Sequence, residues 1–278
     1  MNLNIPQITC ASIETDGFDS TADSAWFTHH TAPMDDEPET GAHTYQTEAL
    51  QSYLAGKCNL SITATTLCSL QNHNETPTDL RSRIFNLLES ALFELPRRYT
   101  SSLISLLLEI HSSDDPTWKN LPGFATSWSD MWKQDQWRSA LAIRDPATRS
   151  KRREAHIHRA YVEASCAMVA VGPTAEDGLM PLSWGYECIS EALECQHAVW
   201  DFEVPAAAMW VKIAGKRLKE GAERGERSWA LEREGRLWGP GPMSLQRWEF
   251  WMRRFEEMED VGNAIANAGS EGARTMRT

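Results

Sequence analysis

The 278-residue chain is 41% hydrophobic and 24% charged, with a net charge of −12 and a pI near 5.2. That length builds one large domain or two small ones whose core needs no disulfide or metal staple. The acidic balance disfavours nucleic acid and anionic membrane surfaces as partners, since the densest basic stretch, TRSKRREAHIHR, is short; and no apolar run approaches the roughly 18 residues that span a bilayer.

Residues 1–41 carry eight acidic residues and no Lys or Arg. They hold too few branched apolar side chains to offset chain entropy, which predicts a mostly disordered segment. SAWFTHHTAP is the exception, because Trp26 and Phe27 can dock on the main body or anchor a partner. From residue 42 to 278 the pattern predicts one all-α domain, an irregular bundle of about eight to ten helices, with no alternating strand pattern and no clean repeat.

TEALQSYLAGKCNLSITATTLCSL reads as a helix ending near Gly56 and a second one capped by Ser61. In TPTDLRSRIFNLLESALFEL, Leu80, Ile84, Leu87, Leu88, Ala91 and Leu95 recur at three- and four-residue steps, and Pro96 ends the helix. YTSSLISLLLEIHSS is apolar all round and is expected to be central. A loop and a short helix with Trp128 and Trp132 follow. Residues 144–155, charged and containing Pro146, read as a solvated connection into the helix SKRREAHIHRAYVEASCAMVA, which stops at VGPTAEDG. PLSWGYECISEALECQH and VPAAAMWVKIAGKRLKEGAE are further helices, with Pro205 placed in a first turn.

GRLWGPGPM is a structured loop, and a helix starts at the N-cap Ser244. There Leu245, Trp248, Trp251, Met252, Phe255 and Met258 form one stripe, read as core because Arg247, Arg254, Glu256 and Glu257 largely take the other faces. A nucleic-acid platform needs arginines and aromatics on one exposed face. Arg247 and Trp248, beside the Gly/Pro loop, stay candidate pocket neighbours. A weak helical tail closes the chain.

YLAGKCNL, WKNLPGF, VPAAAMWVKIAGKRL and GRLWGPGPMSLQRWEFWMRRFEEM, in that order, resemble a fungal family known as domain of unknown function 3632, over roughly residues 45–275. The resemblance implies an all-helical intracellular fungal protein and assigns no catalytic residue. Where the family usually carries an aromatic helix rich in asparagine, this chain reads EAHIHRAYVEASCAM, marking a place of specialisation.

The cysteines, Cys10, Cys58, Cys68, Cys166, Cys188 and Cys195, contain no C-x-x-C pair, and the N-terminus lacks a secretory pattern, which predicts reduced thiols and a cytoplasmic location. His156 and His158 diverge by about 200° on a helix and cannot share a metal. His29 and His30 lie in a predicted loop, so no metal site is expected. Nucleotide loops and nucleophile elbows are absent, so no cofactor is expected.

His158 and Tyr161 share a helix face, with half-buried packing as the plain alternative. Trp184, Glu187, Glu191 and Glu194 form a row that is either a solvated edge or a pocket wall. The sharper expectation is an apolar hollow walled by Trp184, Trp210 and Trp248 with Arg247 beside it, where His158, Tyr161 and Glu187 act as proton donors or acceptors. That describes a cofactor-independent cyclase, isomerase or pericyclase of fungal specialised metabolism holding an apolar small molecule. The rival readings are a non-enzymatic helical scaffold and a ligand carrier, with a homodimer possible if tryptophans are exposed.

Overall fold

A computed structural model describes residues 20–31, 41–70, 75–131, 142–171, 178–258 and 263–277. Among them the regular elements are all helices, with a lone bridge between Thr31 and Ala42 instead of a sheet. No helix among the described residues is long and apolar enough to cross a membrane.

The first half comprises α1 (Ser20–His30), α2 (Thr44–Leu54), α3 (Leu60–Cys68), α4 (Pro77–Glu94), a 3-10 turn (Arg97–Tyr99), α5 (Thr100–His111) and α6 (Phe124–Met131). α4 forms as its pattern requires. Thr76 caps it by accepting from the Asp79 N–H, Pro77 sits in its first turn, and Leu80, Ile84, Leu87, Leu88, Ala91 and Leu92 are buried. α5 buries Leu103, Ile104, Leu106, Leu107 and Ile110 against the same core. α3 is capped two residues earlier than expected: Asn59, as good a cap as serine, accepts from the Ile62 N–H at 2.8 Å.

Of the N-terminal segment, α1 is described and residues 1–19 and 32–40 are not, so the expected disorder there lies outside the described residues, as does Trp132. α1 docks on the body. Phe27 is buried, the Trp26 indole N–H donates to Glu94 at 2.7 Å, and Asp23 accepts from Arg98 and the Tyr99 hydroxyl.

The second half comprises α7 (Pro146–Ala167), α8 (Ser183–Glu194), α9 (Trp200–Arg224), a 3-10 turn (Trp229–Glu232), α10 (Leu245–Glu257) and α11 (Asn263–Arg277). Pro146 opens α7, with Asp145 accepting from the Thr148 N–H. The charged stretch read as a connection is thus the helix's own first turns: Lys151 and Arg152 face solvent and Arg149 forks onto Asp201 of α9. α7 divides the core. Val162 and Cys166 face the first half, while Ala160, Ala164 and Ala167 face the second.

α9 packs against α7, α8, α10 and α11. Its small residues Ala206, Ala207, Ala208, Ala214 and Gly215 are buried and let neighbours approach closely. Pro205 lies in its second turn, five residues beyond the start, because the helix begins earlier at Trp200, where Glu203 accepts from the Val199 N–H at 2.6 Å. α10 starts as expected, Ser244 accepting from the Arg247 N–H at 3.1 Å.

Candidate functional site

A half-open cavity of about 190 Å3 lies where the end of α5, the 120–123 loop, the start of α6 and residues 178–179 meet. Its floor owes its shape to an unusual backbone. Asn120 and Leu121 are consecutive left-handed residues (φ 64° and 44°), followed by Pro122 and then Gly123 at φ 89°. Asparagine tolerates that region; leucine does not, and a residue before proline is normally extended. The strain is held by anchors on both sides. The Leu121 side chain is buried, the Asn120 N–H donates to the His111 carbonyl at 3.1 Å, and Trp118, 2% exposed, locks the loop to the core.

The walls are His111, Asn120, Leu121, Pro122 and Thr126, closed by Gly178 and Leu179. Burial lowers the His111 pKa, so the imidazole is neutral near pH 7. Among the described residues no carboxylate, lysine or arginine lines the cavity. It offers one imidazole, one amide, one hydroxyl and backbone groups, including first-turn N–H groups of α6 that a helix leaves without intrahelical acceptors. Such a set can hold and orient a ligand through hydrogen bonds.

Gly178 is what brings the far wall in. A Cβ there would collide with the Cys166 carbonyl, and the Leu179 N–H bonds that same oxygen at 2.9 Å. Gly178→Ala is expected to push residues 178–179 off the end of α7, costing about 1–3 kcal/mol and widening the cavity. Urea melts of the two proteins check the first effect.

The residues expected around an aromatic hollow are spread over three places. His158 and Tyr161 stack 6.1 Å apart on α7. His158 Nε2 donates to the Leu92 carbonyl at 2.9 Å and Nδ1 accepts from Arg97 Nε at 3.3 Å, which fixes the neutral tautomer; burial lowers its pKa in the same sense. His156 faces the other way, toward Phe202, its pKa pushed down to about 3 by burial and by Arg159.

Trp184 is half-buried and packs against both core halves. Glu187, one turn on, has a carboxyl raised by burial, with Arg233 at 3.6 Å opposing the shift. The Trp210 ring lies against Gly185, where any Cβ would be 2.7 Å from Cε3, and is fully buried. Trp248 donates to the Met276 carbonyl and stands 6.4 Å from Trp251.

Arg247, read as a face residue, is instead wholly buried. Its Nε and Nη2 fork onto Glu194 at 2.7 Å each, its Nη1 donates to the carbonyls of Leu231 and Gly241, and Trp251 Nε1 donates to Glu194 at 2.6 Å. The glutamate row is therefore a zipper: Glu187 to Arg233, Glu191 to Arg233 and Arg236, Glu194 to Arg247, fastening the Gly/Pro loop and α10 onto α8. Arg247 and the indoles of Trp210 and Trp248 pack and tie the second half, while His158 and Tyr161 face α4.

Sequence reasoning missed His111, Asn120 and Thr126. The available signal was WKNLPGF, where an Asn, a Gly and a Pro in four residues announce an irregular turn.

A model of the family described as protein of unknown function (DUF3632) matches residues 90–255, from the last turn of α4 through most of α10. It includes every residue of the cavity. No curated protein and no solved structure matches the chain.

Proposed function

Because the chain belongs to the DUF3632 family of proteins of unknown function, which prescribes no reaction, we propose that it is a small-molecule-binding helical protein whose ligand sits in the cavity between α5, the 120–123 loop and α6. The observation behind this reading is the cavity itself, kept open by two successive left-handed non-glycine residues. Strain of this kind costs of order 1–3 kcal/mol per residue and clusters at ligand clamps.

At about 190 Å3 the space is smaller than the ~300–1,000 Å3 of pockets that enclose drug-sized ligands. Its lining among the described residues, uncharged and mixed, suits a small neutral molecule with one or two hydrogen-bonding groups. His111→Phe removes the imidazole's hydrogen-bonding groups and leaves a slightly larger apolar ring in that wall. Fragments that raise the melting temperature of the natural chain are expected to bind the variant at least about tenfold more weakly, the equivalent of ~1.4 kcal/mol. Unchanged affinity in calorimetry would remove the cavity from the account.

A second reading, acid–base catalysis on an apolar molecule in fungal specialised metabolism, has one observation in its favour: the raised carboxyl of Glu187 beside half-buried Trp184. It requires a guest space near Trp184 and Trp210, and the tight seat of Trp210 on Gly185 weighs against that.

A further inference from the structure

Several arginines of this acidic chain are ordered by contacts within or between elements, and most of them meet carboxylates. Arg83 meets Glu75, Arg149 meets Asp201, Arg159 meets Glu163, Arg217 meets Glu226, and Arg247 meets Glu194. Arg97 does not.

Arg97 sits in the 3-10 turn between α4 and α5 and is held from two sides by α7. Its Nε donates to His158 Nδ1 at 3.3 Å, and its guanidinium carbon lies 5.0 Å above the Tyr161 ring. Its Nη1 and Nη2 meet no acceptor among the described residues, and the Tyr161 hydroxyl has no hydrogen-bond partner there either. Glu94, three residues earlier, is occupied by Trp26 and His30.

An exposed arginine without a partner is ordinary. One whose plane is fixed by an imidazole and an aromatic ring, with its outer edge left open, is organised to receive something. A guanidinium edge matches the two oxygens of a carboxylate or phosphate. Fixing it beforehand reduces the ordering cost of binding. His158 supports this only as the neutral tautomer, since a protonated ring has no acceptor for Arg97 Nε.

We propose that Arg97, backed by His158 and Tyr161, is an oxyanion-binding site that takes the carboxylate or phosphate group of a small molecule. It shares no lining residue with the 190 Å3 cavity, so either site stands if the other fails.

The test is nuclear magnetic resonance on the full chain, following Arg97 Nε–H and the His158 ring during titration with sodium phosphate and with sodium acetate at constant ionic strength. Saturable shifts at both residues are expected with at least one of the two anions, and the anion that saturates identifies the group. Arg97→Gln should weaken binding by about tenfold or more and Tyr161→Phe by about fivefold. Arg152→Gln, which removes an exposed α7 charge, should change it less than twofold. Linear, non-saturating shifts with both anions would overturn the proposal. So would equal weakening by Arg97→Gln and Arg152→Gln, which is general charge attraction. If Arg97→Gln fails to fold, the shifts in the natural chain decide alone.

Discussion

Arg247→Met is expected to destabilise the chain by about 3–5 kcal/mol, among the largest effects of any single substitution in it. The side chain volume is nearly kept, but Glu194 is left wholly buried with only the Trp251 indole N–H, the Gly241 carbonyl loses its Arg247 donor, and the Leu231 carbonyl keeps only the Gly241 N–H. Breaking one half of a buried pair exposes the full desolvation cost of the survivor. The pair itself contributes far less than that figure. Replacing both partners, as in Arg247→Met with Glu194→Leu, should recover much of the loss. Urea denaturation of the single and double variants measures the difference. A loss below about 1 kcal/mol for Arg247→Met would mean that water reaches the pair.

The second large effect is a dependence on pH carried by Glu89. This carboxyl lies on the buried face of α4, accepts from the Ser127 hydroxyl at 3.1 Å through one oxygen, and has no partner for the other among the described residues. Burial raises its pKa from 4.5 to about 7, with the Ser127 bond opposing. Between those two values the folded chain binds more protons at this group than the unfolded chain does. Its contribution to stability is therefore fully present below about pH 4.5, falls as pH rises, and is gone above about pH 7, a total of about 3 kcal/mol. Glu89→Gln removes the ionisation. Its stability relative to the natural chain should therefore improve from pH 5 to about pH 7 and level off above that in paired urea melts. A constant difference across that range would place a cation or water beside Glu89.

The helices were legible because periodicity reports which face is buried. Leu80, Ile84, Leu87, Leu88 and Ala91 in α4, and Trp248, Trp251 and Phe255 in α10 with Met258 at its end, lie buried where their spacing put them, whereas Leu245 of the same stripe is exposed and Met252 half-buried. What periodicity does not report is what lies opposite. Glu191 and Glu194 form an edge by their spacing alone, because the arginines that neutralise them are 42 to 53 residues away along the chain. Arg247 was assigned a face by its helical angle, yet a carboxylate from α8 overrides that preference.

The same limit applies to the indoles. A stripe containing tryptophan looks alike whether it fills a core or walls a hollow, and the difference for Trp210 lies in a glycine on another helix, Gly185. The cavity was least legible of all. Its shape rests on Leu121 holding φ 44° before a proline, against local preference, and only the tertiary anchors at Trp118 and His111 make that conformation persist.

The ligand proposed for the cavity would sit on the 120–123 loop, while Trp210, Trp248 and Trp251 are buried in the interior. Amide and indole chemical-shift mapping during a screen of small neutral fragments tests it directly. Shifts are expected at His111, Asn120, Leu121, Thr126, Gly178 and Leu179, with the indole N–H signals of Trp210, Trp248 and Trp251 unmoved. Fragments that shift Trp210 and Trp184 while leaving the loop unchanged would contradict it and restore the aromatic hollow.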